Sequence, residues 1–305
     1  MPSDLSFDTD FAAEPGTLVP VSALVRRMVA PNPGPFTFTG TCCYVVGHGD
    51  VAVIDPGPDL PDHLDALAHA LAGERVTHVV ATHTHRDHSP GATLLARRLG
   101  VPLVGCGPHR PSRPLGAGGP DTAGGSGDRS YRPDRELADG DAIEGPGWTL
   151  RALATPGHTA NHLAFALPEE AALFSGDHVM AWNTTIVAPP DGSMTDFMAS
   201  LERLRGRDEA VYWPGHGGPV RDPGRMVRAL IGHRRQREAS IVKRLAAGDR
   251  TAAAMVETIY AGLAPALRGA AALSVFAHLE NLVARRLAET DGAPRADGEY
   301  RLTAS

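Results

Sequence analysis

The sequence predicts an α/β fold followed by a smaller helical module, on three observations. Short apolar runs of strand length end, again and again, in turns that carry a histidine or an aspartate. The first of these turns leads straight into a helix-start signal. Beyond residue 220 the strand pattern gives way to amphipathic helices and a turn-rich terminal stretch.

Val76-Thr77-His78-Val79-Val80-Ala81 has the β-branched content and length of a buried strand. The residues after it, Thr82-His83-Thr84-His85-Arg86-Asp87-His88, bring three imidazoles and a carboxylate into one short stretch. On an extended chain His83 and His85 point to one side. Ser89-Pro90 reads as an N-cap serine with proline at the first helical position, opening a helix that stops at Gly100. Four potential ligands thus gather on one strand-to-helix loop, and neutral imidazoles and carboxylates readily take zinc.

Further ligands sit at the ends of later strands. Trp148 to Ala154 alternates apolar and polar and breaks at Thr155-Pro156-Gly157-His158-Thr159. Ala171 to Gly176 ends on Asp177, and Ala210 to Gly215 ends on His216. A Pro-Gly turn beside one histidine is common and mostly structural. Together with the first cluster, however, these turns make seven metal-type ligands at the ends of four strands.

In this order the motifs T-H-x-H-x-D-H, T-P-G-H-T, S-G-D and P-G-H-G resemble those of the metallo-β-lactamase superfamily, over roughly residues 20 to 220. Ala52-Val53-Ile54-Asp55-Pro56-Gly57 resembles its first motif, a buried aspartate supporting the metal loop. The resemblance implies an αββα sandwich in residues 1–220, with two Zn2+ per chain. His83, His85 and His158 would hold one ion, Asp87, His88 and His216 the other, and Asp177 would bridge them. His162 matches the second histidine of the family's G-H-T-x-x-H pattern, as a group behind the ligands or on the substrate side, or as packing. The implied reaction is hydrolysis of an ester-type bond by a metal-bound hydroxide, because zinc lowers the pKa of its water to roughly 7. Asp87 would be both a ligand and the catalytic residue orienting that hydroxide.

Departures narrow the subfamily. Asp177 argues against antibiotic hydrolysis, since true metallo-β-lactamases carry cysteine or serine at the bridging place. His85 favours hydrolysis over oxygen chemistry, since flavodiiron proteins have glutamate there. Persulfide dioxygenases, with a single iron, keep similar motifs and stand as the redox alternative.

The C-terminal part predicts helices over Arg225 to Leu245, Thr251 to Tyr260 and Ala271 to Leu287, then a hairpin within Asp291 to Leu302. Helices followed by a terminal hairpin suggest a winged-helix-like domain over residues 221–305. His233-Arg234-Arg235-Gln236-Arg237-Glu238 resembles the H-R-x-x-R-E element of the β-lactamase-like-protein-2 family, and Trp182 to Val187 resembles that family's T-T segment. That family includes a single-strand endoribonuclease, and related fungal enzymes hydrolyse polyketide thioesters. The implied substrate is therefore a small acyl or thioester compound, or single-stranded RNA.

Charge separates the two parts. Residues 1–220 carry 15 Arg/Lys and 26 Asp/Glu, whereas 221–305 carry 14 and 9, so only the C-terminal part is basic. A basic patch can track phosphates, but an arginine-rich helix is more often a solvated face. Lys243 is the one lysine among 29 basic residues, a bias that fits a GC-rich genome and makes arginine richness alone poor evidence of nucleic-acid binding. No apolar run approaches a membrane span, no signal-like segment opens the chain, and three scattered cysteines form no disulfide framework, which together fit the cytoplasm. Gly105 to Asp134 interrupts the scaffold as a Gly-rich loop, either a flap bearing His109, Arg110 and Arg113 or a surface insertion.

Overall fold

A computed structural model of the chain describes residues 5–113 and 126–304. The Gly-rich run 116–120, the first two residues of the run 124–127 and Asp4 lie outside the described residues.

A seven-stranded sheet contains, in spatial order, β1 (Val19–Pro20), β2 (Val25–Val29), β3 (Cys42–Val46), β4 (Asp50–Ile54), β5 (Arg75–Ala81), β6 (Leu103–Gly105) and β7 (Arg135–Glu136). Its first half is antiparallel; from β4 onward the strands are parallel. The parallel pairs need crossovers, and helices α1 (Pro61–Ala70) and α2 (Ser89–Leu99) supply two of them. The second sheet has the order β12-β11-β10-β9-β8, from β8 (Ala142–Gly145), β9 (Trp148–Ala154), β10 (Leu163–Leu167), β11 (Ala172–Gly176) and β12 (Val211–Pro214).

Side-chain alternation makes the layers. On β10 Leu163, Phe165 and Leu167 join the core between the sheets, while Ala164 and Ala166 join a second core on the outer face. That outer core is closed by Phe197, Leu201 and Leu204 of α3 (Met194–Arg205) and by Val227, Leu230 and Ile231 of α4 (Pro223–Ala246). Leu64, Leu67 and Leu95 of α1 and α2 cover the other sheet, so the order is αββα. Cys42 and Cys43 are buried residues of β3.

The C-terminal half of α4 enters a third core. Ile241 and Leu245 pack there against Met255 and Val256 of α5 (Ala252–Ile259), Val275, Phe276 and Leu279 of α6 (Pro265–Ala284), and Tyr300 of the hairpin β13 (Ala288–Thr290) and β14 (Tyr300–Leu302). Helix α6 begins six residues before the expected Ala271. Pro265 sits in its first turn, where a missing N–H costs nothing, and Gly269 does not interrupt it.

One local expectation is corrected. His88, not Ser89, occupies the N-cap of α2, and no side chain caps the helix there. The Ser89 hydroxyl donates instead to Asp128 Oδ2 at 3.0 Å. Gly100 ends the helix as expected, in the left-handed conformation at φ 65°.

Candidate metal centre

Four strand ends of the sandwich meet at one rim, and the seven predicted donors meet with them. His83, His85 and His158 form one donor group, Asp87, His88 and His216 another, with the donor atoms of each lying within 4.8 Å of one another. Asp177 lies between, its carboxylate oxygens 3.6 Å from His88 Nε2, 3.3 Å from His216 Nε2 and 3.6 Å from His158 Nε2. Asp87 Oδ2 is 3.2 Å from His216 Nε2.

Each imidazole has its outward nitrogen facing an oxygen, which fixes the tautomer and turns the other nitrogen inward. His88 Nδ1 lies 3.0 Å from Asp55 Oδ2, His158 Nδ1 2.7 Å from the Ile186 carbonyl, and His216 Nδ1 3.2 Å from the Gly40 carbonyl. The Thr82 hydroxyl donates to Asp55 Oδ2 at 2.6 Å, so it accepts from His83 Nδ1 at 2.9 Å. His85 Nε2 is 3.4 Å from Asp191 Oδ2. Four Nε2 atoms and one Nδ1 are left pointing at the centre.

Asp55 is the keystone of this arrangement. It ends β4 at φ 45°, a strained angle for a residue with a side chain, and its oxygens also accept from the Thr82 backbone N–H at 2.8 Å. His162 takes the position of a brace: its Nε2 accepts the Asp177 backbone N–H at 3.2 Å, and its Nδ1 lies 2.8 Å from the Thr155 hydroxyl. Of the readings open for His162, support of Asp177 is the one its contacts express. Gly215 is required where the strand passes, because a Cβ there would collide with Asp177 Oδ1 and sit 2.8 Å from His88 Cε1.

The cluster fits divalent metal. His85 Nδ1 and His158 Nε2 face each other at 2.9 Å and His88 Nε2 and His216 Nε2 at 3.3 Å, separations that want a shared cation or a proton between them. His83 Nε2 and Asp177 Oδ1 are buried with no hydrogen-bond partner among the described residues. Protonation follows the surroundings. Burial pulls His83 well below 6.5, with His88 and His85 adding to it, and brings His158 to about 4. His216 goes the other way: burial pushes it down, but Asp177 and Asp87 outweigh that and raise it to about 9. Burial likewise opposes His88, which Asp87, Asp177 and Asp55 lift well above 6.5. Asp177 would rise on burial, yet His216 and His88 hold it well below the ordinary carboxylate range.

Sequence reasoning missed Asp191. It follows Pro189-Pro190 on the approach to α3, accepts from His85, and holds His109 Nε2 at 2.9 Å. His109 Nδ1 in turn meets the Thr84 hydroxyl at 2.9 Å, so His109 is docked against the centre rather than carried on an open flap. Also missed was the burial of Arg234, 3 % exposed, whose guanidinium donates to the Thr185 carbonyl. The expected solvated face of that helix holds for Arg235, which pairs with Glu202 at 2.9 Å. Thr185 itself donates to the Asp177 carbonyl at 2.6 Å, giving the T-T segment a mechanical link to the centre.

A cavity of about 680 Å³ opens from the metal centre toward the C-terminal helices. His85, Asp87, His158, Asp177 and Asp191 line its floor, Phe36, Trp182 and Ile186 its near side, and Arg234, Arg237, Tyr260, Leu263 and Leu267 its far side. Trp182 is stacked on Phe38 with ring centroids 4.8 Å apart.

An αββα sandwich with an imidazole–carboxylate cluster at its strand ends defines a class of metal-binding hydrolases. The chain belongs to that class as a member of the metallo-beta-lactamase superfamily, whose model matches residues 36–216, and a beta-lactamase associated winged helix domain matches 251–296. A beta-lactamase-like protein 2 homolog of Caenorhabditis elegans is 32 % identical over 271 residues, covering 86 % of this chain and 85 % of that one. An atrochrysone carboxyl ACP thioesterase of Cryptosporiopsis sp. is 29 % identical over 228 residues, 74 % of this chain; the match spans 64 % of that relative's length. Among solved structures, a beta-lactamase domain protein from Burkholderia ambifaria superposes with a TM-score of 0.79 at 20 % identity, covering 96 % of each chain, which shows the shared fold. A winged helix C-terminal to the sandwich is what the helices and terminal hairpin led us to expect.

Proposed function

We propose that the chain is a dinuclear zinc hydrolase of thioesters or other small acyl compounds. In this reading His83, His85 and His158 hold one ion, Asp87, His88 and His216 the other, and Asp177 bridges them. The observation that carries it is the pair of donor groups with inward-facing nitrogens around one shared carboxylate. Ions held there would supply a hydroxide nucleophile at neutral pH and positive charge to offset the negative charge that develops on the carbonyl oxygen. The chain's own residues do the rest. Asp87, at the cavity floor, would accept a hydrogen bond from that hydroxide and so orient it. Asp55, His162 and Asp191 keep the donors in register, and Trp182 and Phe36 narrow the entrance. In the net reaction water adds to the carbonyl, the C–S bond breaks, and the thiol leaves with the proton.

The thioesterase named among the relatives supports the thioester over RNA. So does the pairing of basic side chains with carboxylates: Arg235 with Glu202 and Arg285 with Glu238, at 2.9 and 2.8 Å, are not a free phosphate track. We also propose a division into residues 1–220 and 221–305, and a cytoplasmic location, to which the three buried free cysteines are suited. Among the described residues no helix is long and apolar enough to cross a membrane.

The test is elemental analysis of the purified protein with a panel of acyl thioesters, lactones and single-stranded RNA. Two zinc ions and thioester turnover are expected. One iron with oxygen uptake on persulfide addition, or cleavage confined to RNA, refutes the reading.

A further inference from the structure

The cavity has two unlike ends. Its floor is the donor cluster, and the carboxylates lining it, Asp87, Asp177 and Asp191, all lie there. Its far end, built by α4, the α5–α6 connection and the first half of α6, combines the apolar side chains of Leu263 and Leu267 with two guanidiniums, Arg234 and Arg237. Neither guanidinium has a carboxylate partner among the described residues. Arg234 Nη2 donates to the Thr185 carbonyl and Arg237 Nη1 lies 3.4 Å from the Ile259 carbonyl, while the Nε of each is buried without a partner. Each lies over an aromatic ring, Arg234 5.1 Å from the centroid of Phe197 and Arg237 4.2 Å from that of Tyr260. Elsewhere on α4 Arg235 and Arg244 do have acids, Glu202 and Asp249. Burial brings Arg234 down to about 10, so it stays cationic at neutral pH.

A buried guanidinium such as that of Arg234 normally sits opposite an anion, because burial without a counter-charge is costly, and half-buried Arg237 lies beside it on the same cavity wall. Their planar forks match a carboxylate or phosphate oxyanion. Apolar walls beside them suit a carbon-rich body, and the volume lies within the range of roughly 300–1,000 Å³ usual for small-molecule sites. We propose that the site selects acyl thioesters whose acyl group carries a carboxylate at the end remote from the thioester. That carboxylate is anchored by Arg237 and Arg234 while the carbonyl lies at the donor cluster. The inference rests on the hydrolase reading above and adds the chemistry of the far end.

The experiment compares three free thioesters on the zinc-loaded protein: adipyl and hexanoyl N-acetylcysteamine, and hexanoyl phosphopantetheine, whose anion sits on the thiol arm. Wild type should hydrolyse the adipyl compound with at least about tenfold higher kcat/KM than the hexanoyl one, and Arg237→Gln should bring that ratio to within about twofold, with Arg237→Lys between. A second measurement needs no turnover. Calorimetry on the chelated, metal-free protein should detect 4-phenylbutyrate binding more tightly than 4-phenylbutyramide, a difference lost in Arg237→Gln. An unchanged adipyl-to-hexanoyl ratio in Arg237→Gln, with both compounds turned over, overturns the anchor and leaves the hydrolase reading standing. Dependence on Arg237 for the phosphopantetheine substrate alone, or for single-stranded RNA alone, overturns it as well. If no thioester is hydrolysed, the hydrolase reading fails, and equal binding of the acid and the amide then removes the anchor too.

Discussion

The two donor groups use the same kinds of side chain but keep their protons differently. Around His83 and His158 burial and neighbouring imidazoles favour the neutral rings, so lone pairs face the centre at physiological pH. Around His88 and His216 three carboxylates outweigh burial and hold protons on the rings, up to about 9 for His216. One group therefore offers a vacant electron-pair set to a metal, and the other exchanges protons for it. Carboxylate proximity decides this: Asp87, Asp177 and Asp55 all face the second group closely, whereas at His83 and His158 burial and the neighbouring imidazoles outweigh the pull of Asp177.

Removing the residue common to both groups has the largest expected effect. Asp177→Ala should lower thioester turnover by a factor on the order of 10³ or more, with the circular dichroism spectrum unchanged, because the scaffold does not depend on this one carboxylate. Elemental analysis should show reduced metal in the variant. Undiminished turnover with two ions still bound would make the two groups independent and remove the shared bridge.

The proton difference itself is tested by pH. Because the second group must release protons to bind metal, its affinity should rise by about tenfold per pH unit for each proton displaced, up to about pH 9. His83 and His158, already neutral over that range, should add no such rise. His216→Ala isolates the first group and His83→Ala the second, with competition against a chromophoric chelator as the measurement. In the metal-free protein the raised pKa of His216 means that its contribution to stability is complete below about pH 6.5 and is lost as pH rises through about 9. Equal pH slopes for the two variants would break the comparison.

These donors were legible in the sequence because metal chemistry admits few residue types and the strand-end loops present them at fixed spacing. His83, His85, Asp87 and His88 carry their geometry in six consecutive positions. Asp191 carries no such signal: a lone carboxylate in Pro-Pro-Asp-Gly reads as an ordinary turn, and its contact with His85 spans over a hundred residues. Arg234 was hidden for a related reason. Its neighbours Arg235 and Arg237 make the helix look solvated, and only the packing of α4 reveals that Arg234 is buried and Arg237 turns to the cavity while Arg235 stays exposed. The start of α6 was misread because Gly269 weakens the local helix signal while tertiary packing of Val275 and Leu279 overrides it.

Asp191 gives a smaller, one-sided probe. It touches His85 and no ligand of the second group, so Asp191→Asn should weaken metal at the first group by roughly 10- to 100-fold and leave the pH slope of the second unaltered. Chelator competition reads both. Equal weakening of the two groups would mean that Asp191 acts through the cavity rather than through His85.

The weakest effect is expected away from the metals, where a buried carboxylate meets one guanidinium instead of several imidazoles. Glu280 of α6 accepts from Arg113 Nε at 2.6 Å, yet burial outweighs that ion pair and raises its pKa to about 7. The folded state therefore holds a proton that the unfolded chain gives up at about 4.5, and Glu280 costs stability progressively as pH rises from there to about 7, with the full cost above it. Glu280→Gln keeps an acceptor for Arg113 without the charge. It should raise stability at pH 8 by about 1–2 kcal/mol, a figure reduced for residual solvent contact, and should change it little at pH 5. Urea unfolding of the metal-loaded protein at both pH values measures this. A Glu280→Gln variant less stable than wild type at pH 8 would show that a single well-placed guanidinium can outweigh burial, as the paired imidazoles do for Asp177.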